Sequence, residues 1–347
     1  MRKRFLVSAL MLCIAALSIA QSVYEDDLAL VYYMPQTQLA ITVEYDEIHT
    51  QPGPFYLYAE RYLGAHTVVT EAQTRYQIRT ITVAPVTIAD HQRSYKVDAT
   101  SLLPYLSLTP DGLLYGYNVG VYPAEEISPI VAHQPTTPAT PLMPLMEEQF
   151  VASSTAKMAE GAAKQIYHIR ETRMNILGGD VEHLPADGTS MQLVLDELDK
   201  REAALVALFV GTTNVQQHTH TYHITPAKDV TKQVIGRFSQ YDGIVAADNL
   251  SGEPIYLTIK GHRQTLLPMQ VEATTKKKTV VSSPLYYNLP GSADIQLDWA
   301  GTTITQVTYP VAQYGIAIPL ANSLFTSKKL PAIYFNIATG NILSIQP

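Results

Sequence analysis

The sequence is nearly without cysteine. Its 347 residues include one, Cys13, close to the N-terminus. A chain with a single thiol closes no internal disulfide, so its stability must come from packed cores. Tryptophan is equally scarce, with one residue, and charged side chains make up only 16%. That is too few for a charge-extended disordered chain. Common enzyme signatures are missing: there is no Gly-x-Ser-x-Gly elbow, no His-Glu-x-x-His and no phosphate-binding glycine-rich loop. Beyond the N-terminal twenty residues no segment has the length and even apolarity of a membrane helix. No internal repeat is found either, which excludes solenoids and propellers.

What is present begins with an export signal. Arg2, Lys3 and Arg4 form a basic end, Phe5 to Ala16 an apolar stretch, and Ser18-Ile19-Ala20 places small residues for cleavage after Ala20. The expected mature chain starts at Gln21 in the periplasm or cell envelope. A retained membrane anchor fits less well, because the apolar run is short and a cleavage site follows it. Leu12 precedes Cys13, where a lipoprotein wants a small residue. Cleavage removes the only thiol and three cations, leaving 21 basic against 31 acidic residues, a balance of −10. Nucleic acid and anionic membrane surfaces are therefore poor partners.

The remainder is 46% hydrophobic, with 22 tyrosines against 7 phenylalanines. Tyrosine favours half-buried sheet positions. Short strands are predicted at Leu28–Tyr33, ended by Met34-Pro35, at Leu39–Tyr45, where apolar and polar residues alternate, and at Tyr76–Val83, with a phase change between Ile78 and Ile81 that suggests a bulge. Between them, Pro54 to Leu63 reads as a short helix with Gly64 as its stop. Phe55, Tyr58, Tyr62 and Leu63 share one of its faces, and so short a helix needs support. That face is expected to lie against strands of the N-terminal domain.

Prolines 135, 138, 141 and 144 recur with the period of polyproline II and suggest a linker. Two helical patterns follow. One runs from Ser154 to Leu177, before Gly178-Gly179; the other is opened by a capping box at Thr189 and Gln192 and closed by Gly211. The short connection predicts an antiparallel hairpin. From Thr212 onward only strands and turns are predicted.

The expected fold is α+β and mainly β. It comprises a signal peptide (1–20), an N-terminal β domain with the short helix (21–132), a Pro-rich linker (133–147), a central antiparallel α-hairpin (148–211) and a C-terminal all-β sandwich-like or barrel-like domain (212–347).

Candidate chemistry is sparse. His218 and His220 project to one face of a strand and His223 to the other, so His218 and His220 could hold zinc or copper if a third ligand arrived from elsewhere. The competing reading is a polar strand face. Glu60-Arg61 and Arg170-Glu171-x-Arg173 place charge on striped helices, either as ion pairs to a β domain, as a solvated face or as a site for an acidic ligand. Lys276-Lys277-Lys278 reads as a solvated loop.

Several stretches together resemble a family. Tyr33-Met34-Pro35-x-Thr37, Gly53-Pro54-Phe55-Tyr56-x-Tyr58-Ala59-Glu60-Arg61-Tyr62-Leu63-Gly64, Ile166-Tyr167-x-Ile169-Arg170-Glu171-x-Arg173, Leu184-Pro185-x-Asp187-Gly188 and Phe335-Asn336-x-Ala338-Thr339-Gly340 are similar to an uncharacterised family of secreted Bacteroidota proteins, domain of unknown function 4831. The resemblance implies an envelope location and supplies no reaction, cofactor or catalytic residue. The expectation is an exported, envelope-associated protein, non-catalytic, that binds an envelope protein or glycan or serves structurally, with no cofactor. The alternative is a periplasmic hydrolase acting on glycans or peptides. A concave pocket holding two carboxylates with strongly shifted pKa values would favour the hydrolase.

Overall fold

The computed structural model describes residues 29–98, 102–123, 154–180, 188–265, 285–321, 323–326 and 328–347. The expected leader, the Pro-rich stretch at 133–147 and Lys276-Lys277-Lys278 lie outside the described residues. The protein is mainly β, with antiparallel sheets and a smaller helical part.

Two long strands organise it. β1 (Ala29–Gln51) and β2 (Gln73–Asp98) form one antiparallel hairpin, 23 and 26 residues long. Several strands predicted as separate are thus fused. The strand does not end at Met34-Pro35, because Pro35 pairs with Ala89 and the ladder continues. At Pro35 the β1 ladder runs on one side: its second neighbour, β5 (Thr212–Ile224), reaches only as far as Leu39, where it ends at Ile224. A proline without a neighbour on its imino side breaks no bond. Pro85 sits in β2, an edge strand, where the same reasoning applies. The predicted phase change is present, since Val43 faces Ile81 but Tyr45 faces Ile78, with a register shift between.

The three-stranded sheet β2-β1-β5 packs on a five-stranded sheet. That second sheet is ordered β10-β9-β8-β6-β7, from β6 (Val230–Ser239), β7 (Gly243–Val245), β8 (Glu253–His262), β9 (Tyr286–Trp299) and β10 (Thr302–Pro319). Leu39, Ile41 and Val43 of β1 meet Ile255 and Leu257 of β8 and Ile295 and Leu297 of β9, all seven with no exposed surface. A four-stranded sheet joins β3 (Leu106–Leu108), β4 (Leu114–Tyr117), β11 (Ala332–Phe335) and β12 (Ile342–Gln346) in the order β12-β11-β4-β3. It covers the other end of the hairpin, where Tyr32, Met34 and Val97 pack with Tyr117, Leu285, Ile333 and Phe335.

The ranges 21–132 and 212–347, expected as separate β domains, therefore contribute strands to the same sheets and side chains to the same cores. Polar joints tie them as well. The Thr37 amide donates to Gln313 Oε1 at 2.8 Å, and the Ala312 amide donates to Thr37 Oγ1 at 2.9 Å. Asn288, fully buried, donates through Nδ2 to the carbonyls of Ala312 (2.9 Å) and Thr339 (2.7 Å). A side chain at Gly340, whose φ is +75°, would strike Pro35 and Asn288. The Pro35-x-Thr37 and Thr339-Gly340 stretches, remote in sequence, thus meet at one joint.

A four-residue helix at Ser323–Thr326, in a range read from the sequence as strands and turns only, packs at this end through Leu324 and Phe325, and at the opposite end of the hairpin stand the other helices. A 3-10 turn (Tyr56–Tyr58) leads into α1 (Ala59–Leu63), and Gly64 ends it at φ +64°. α2 (Thr155–Gly178) is capped by the Ser154 hydroxyl and stopped by Gly179 at φ +77°. α3 (Gly188–Val210) is followed by Gly211 at φ +86°. Thr189 lies inside α3, so it does not cap the helix, and the Gln192 amide reaches forward to Asp196 at 2.7 Å. The short helix, expected from the sequence to pack on strands of the N-terminal domain, packs instead on α2 and α3. Phe55 and Ala59 are buried among Ala159, Ala162, Ile166, Leu205 and Phe209 of the helical pair. The reason is backbone docking: the Phe55 amide bonds to Leu208 O at 2.8 Å, and a Cβ at Gly53 would collide with that carbonyl. Tyr58, Tyr62 and Leu63 are half-buried at its margin.

A polar cluster and groove at the helix end of the hairpin

Beyond the bulge, the core-facing row of β1 changes chemistry. Leu39, Ile41 and Val43 give way to Tyr45, Glu47 and His49. Glu47 gathers three neighbours. Tyr76 donates its hydroxyl to Oε1 at 3.1 Å, His49 Nε2 stands 2.9 Å from Oε1, and His218 Nε2 stands 2.7 Å from Oε2. Thr74 Oγ1 lies 2.8 Å from His49 Nδ1, holding the ring in place, and the His218 ring stacks on Tyr45 with centroids 5.4 Å apart. Burial pushes the Glu47 carboxyl up, but the hydrogen bonds from His218 and Tyr76 and the nearby His49 outweigh it, so Glu47 is held below the usual carboxylate range. The Tyr76 phenol is pushed up, by burial first and then by the Glu47 carboxylate it bonds to.

The sequence-predicted residues are thereby placed. His218 is committed to Glu47, while His220 is exposed and meets Tyr222 edge-on at 4.6 Å. His218 and His220 do share a strand face, as predicted. Among the described residues no group of three His, Cys, Asp or Glu side chains is arranged to hold a metal ion. Arg170 and Arg173 both bond Glu202 of α3 at 2.7 Å, and Arg173 also bonds Asp199. The network joins the two helices to each other rather than to a β domain. Burial pushes Glu202 up, and the two guanidinium groups more than reverse this. Among the described residues Glu60 pairs with exposed His66, at 3.6 Å.

Tyr76 also forms a wall of an open groove of about 790 Å³. Its backbone is anchored to Gln240 O at 2.9 Å, which joins the groove to the second sheet. Thr50, Thr70, Gln73, Gln77 and Gln240 offer uncharged donors and acceptors, Glu71 and Arg75 one charge of each sign, and Ile48, Val68 and Val69 an apolar strip. Glu71 is the one carboxylate of the lining. Sequence reasoning missed Glu47, Tyr76 and the groove. The available signal was the row Leu39, Ile41, Val43, Tyr45, Glu47, His49, which turns polar while keeping its period.

No helix among the described residues is long and apolar enough to cross a membrane. No curated protein and no solved structure matches the chain. One family model does match, over residues 29–343, and the chain therefore belongs to the family described as Domain of unknown function (DUF4831).

Proposed function

We propose that this is an exported, envelope-associated, non-catalytic binding protein, and that its ligand is a neutral glycan taken up in the groove beside Tyr76. The observation that carries the reading is the lining: five residues with amide or hydroxyl side chains, Tyr76 and a short apolar strip. Sugars present hydroxyl groups that both donate and accept, together with apolar C–H faces. Gln and Thr side chains match the first, and Tyr76, Val68 and Val69 match the second. The charges of Glu71 and Arg75 balance, so the groove has no bias toward an anion or a cation.

A glycan hydrolase is supported less well. Such enzymes generally use two carboxyl groups about 5–9.5 Å apart, one of them protonated at working pH. Glu71 lacks a second carboxylate in the groove lining. Glu47, behind Tyr76, is held ionised by its donors and is ill suited to serve as an acid. Export rests on the order of basic, apolar and small-residue regions in the first twenty residues.

The test is a panel of neutral oligosaccharides titrated calorimetrically against the chain, beside a Gln77→Ala/Gln240→Ala variant. Binding that weakens about tenfold or more in the variant, with the sugar recovered intact, supports the proposal. Absence of binding across the panel, or cleavage of a bound sugar, contradicts it.

A further inference from the structure

The edges of the three sheets are not treated alike. An open edge invites pairing with another chain, and proteins blunt edges with charge, proline, bulges or short length. β2 carries Arg75, Arg79, Arg93, Lys96 and Pro85 and has two register shifts against β1. β10 has Pro310 and two register shifts. β7 and β3 are three residues long and β12 is five. β5 has none of these devices. Its thirteen residues, Thr212 to Ile224, include no Lys, Arg, Asp, Glu, Pro or Gly. They pair with β1 in unbroken register from Thr212 to Ile224, so the free side is straight for about 43 Å. Among the described residues β5 pairs with β1 alone.

We propose that two copies of this chain pair through the free edges of β5, antiparallel about a two-fold axis, to make one continuous six-stranded sheet from two three-stranded ones. Among the described residues no strand pairs with the backbone donors and acceptors along this side, and another extended strand is the protein partner that can bond the whole row at once. That strand must be long, unbroken and free of charge that would face polar neighbours, and β5 itself is such a strand. A two-fold axis brings each β5 against its own sequence, so Thr, Gln and Asn side chains lie opposite one another with no fixed like charges opposed. The arrangement leaves the groove at Tyr76 open, since none of its lining residues belongs to β5. The inference therefore stands apart from the glycan reading.

Sedimentation equilibrium of the full chain tests this, with Val215→Lys/Gln217→Lys/Thr219→Lys as the comparison. These three side chains are exposed and share one strand face, so the variant places like charges across the two-fold axis without touching a core. The wild-type chain is expected to dimerise reversibly between about 1 and 100 μM, and the variant to dissociate at least about tenfold more readily, with the same unfolding midpoint as wild type at concentrations where both are monomeric. Hydrogen exchange of the wild-type chain supplies a readout that needs no variant: the β5 amides that point away from β1 should lose protection on dilution, while the β5 amides bonded to β1 keep theirs. A wild-type chain that stays monomeric throughout overturns the proposal. So does a variant that dimerises as well as wild type, or protection of the outward β5 amides that is independent of concentration.

Discussion

At the scale of single residues, the buried polar groups carry the most information. Tyr32 has no exposed surface, and its hydroxyl donates to Tyr286 O at 3.1 Å while accepting from the Tyr286 amide at 2.8 Å. Burial raises its pKa well above the usual phenol range, although the bond to the Tyr286 carbonyl works the other way. Tyr32→Phe preserves the ring stack on Tyr95 but takes the hydroxyl away from the part-buried Tyr286 amide, so denaturant unfolding should show a loss of about 1–3 kcal/mol. Glu47 makes a second prediction, in pH. Its folded-state pKa is depressed, so the ionised cluster contributes stability above the ordinary value of 4.5 and loses it as pH falls through the lower folded value. The unfolding midpoint of wild type should exceed that of Glu47→Gln near neutrality, and the gap should close below about pH 4.5. A gap that widens on acidification would contradict the assigned sign. Neither group was legible in the sequence. Tyr32 is one of 22 tyrosines, and its partner is 254 positions away. Glu47 is ordinary until β2 and β5 bring up Tyr76 and His218.

Among elements, the local signals were sound and the partners were not. Gly64 ends the short helix as predicted, although Pro54 lies in the turn before the 3-10 segment rather than at the first helical position, and glycines stop α2 and α3 with positive φ values. These are properties of nearby backbone and can be read from a few residues. The surface the short helix covers depends on Gly53 docking at Leu208, a contact across more than 150 positions that no periodicity reveals. The correction changes the expected outcome of mutagenesis. Tyr62 is only half-buried, whereas Phe55 is 1% exposed, with its ring 5.5 Å from that of Phe209. Phe55→Ala should cost about 3–5 kcal/mol, as deep aromatic truncations do. Leu57, 75% exposed on the opposite side, should cost about 0.5 kcal/mol or less when changed to Ala. Equal unfolding midpoints for the two variants would show that the helix is not anchored on α2 and α3.

For the whole molecule, strand content was readable because alternation such as Leu39, Ile41, Val43 is local, but strand length and sharing were not. Met34-Pro35 suggested a break, yet the one-sided pairing of β1 near Pro35 made it harmless. The Pro-rich stretch suggested a divide, yet chain on either side of it builds common cores at both ends of the hairpin. The groove arises from that sharing, since its lining comes from β1, β2, the segment between them and Gln240 after β6. The proposed export rests on the first twenty residues: N-terminal sequencing of the protein recovered from its native cells should begin at Gln21, and an intact Met1 would refute the signal. The central claim is that the groove beside Tyr76 binds a neutral glycan without cleaving it, and calorimetric titration of neutral oligosaccharides against wild type and Gln77→Ala/Gln240→Ala tests it most directly. The account predicts saturable binding that falls at least about tenfold in the variant, with the sugar recovered intact; binding of equal strength in both proteins, or release of shortened products, would contradict it.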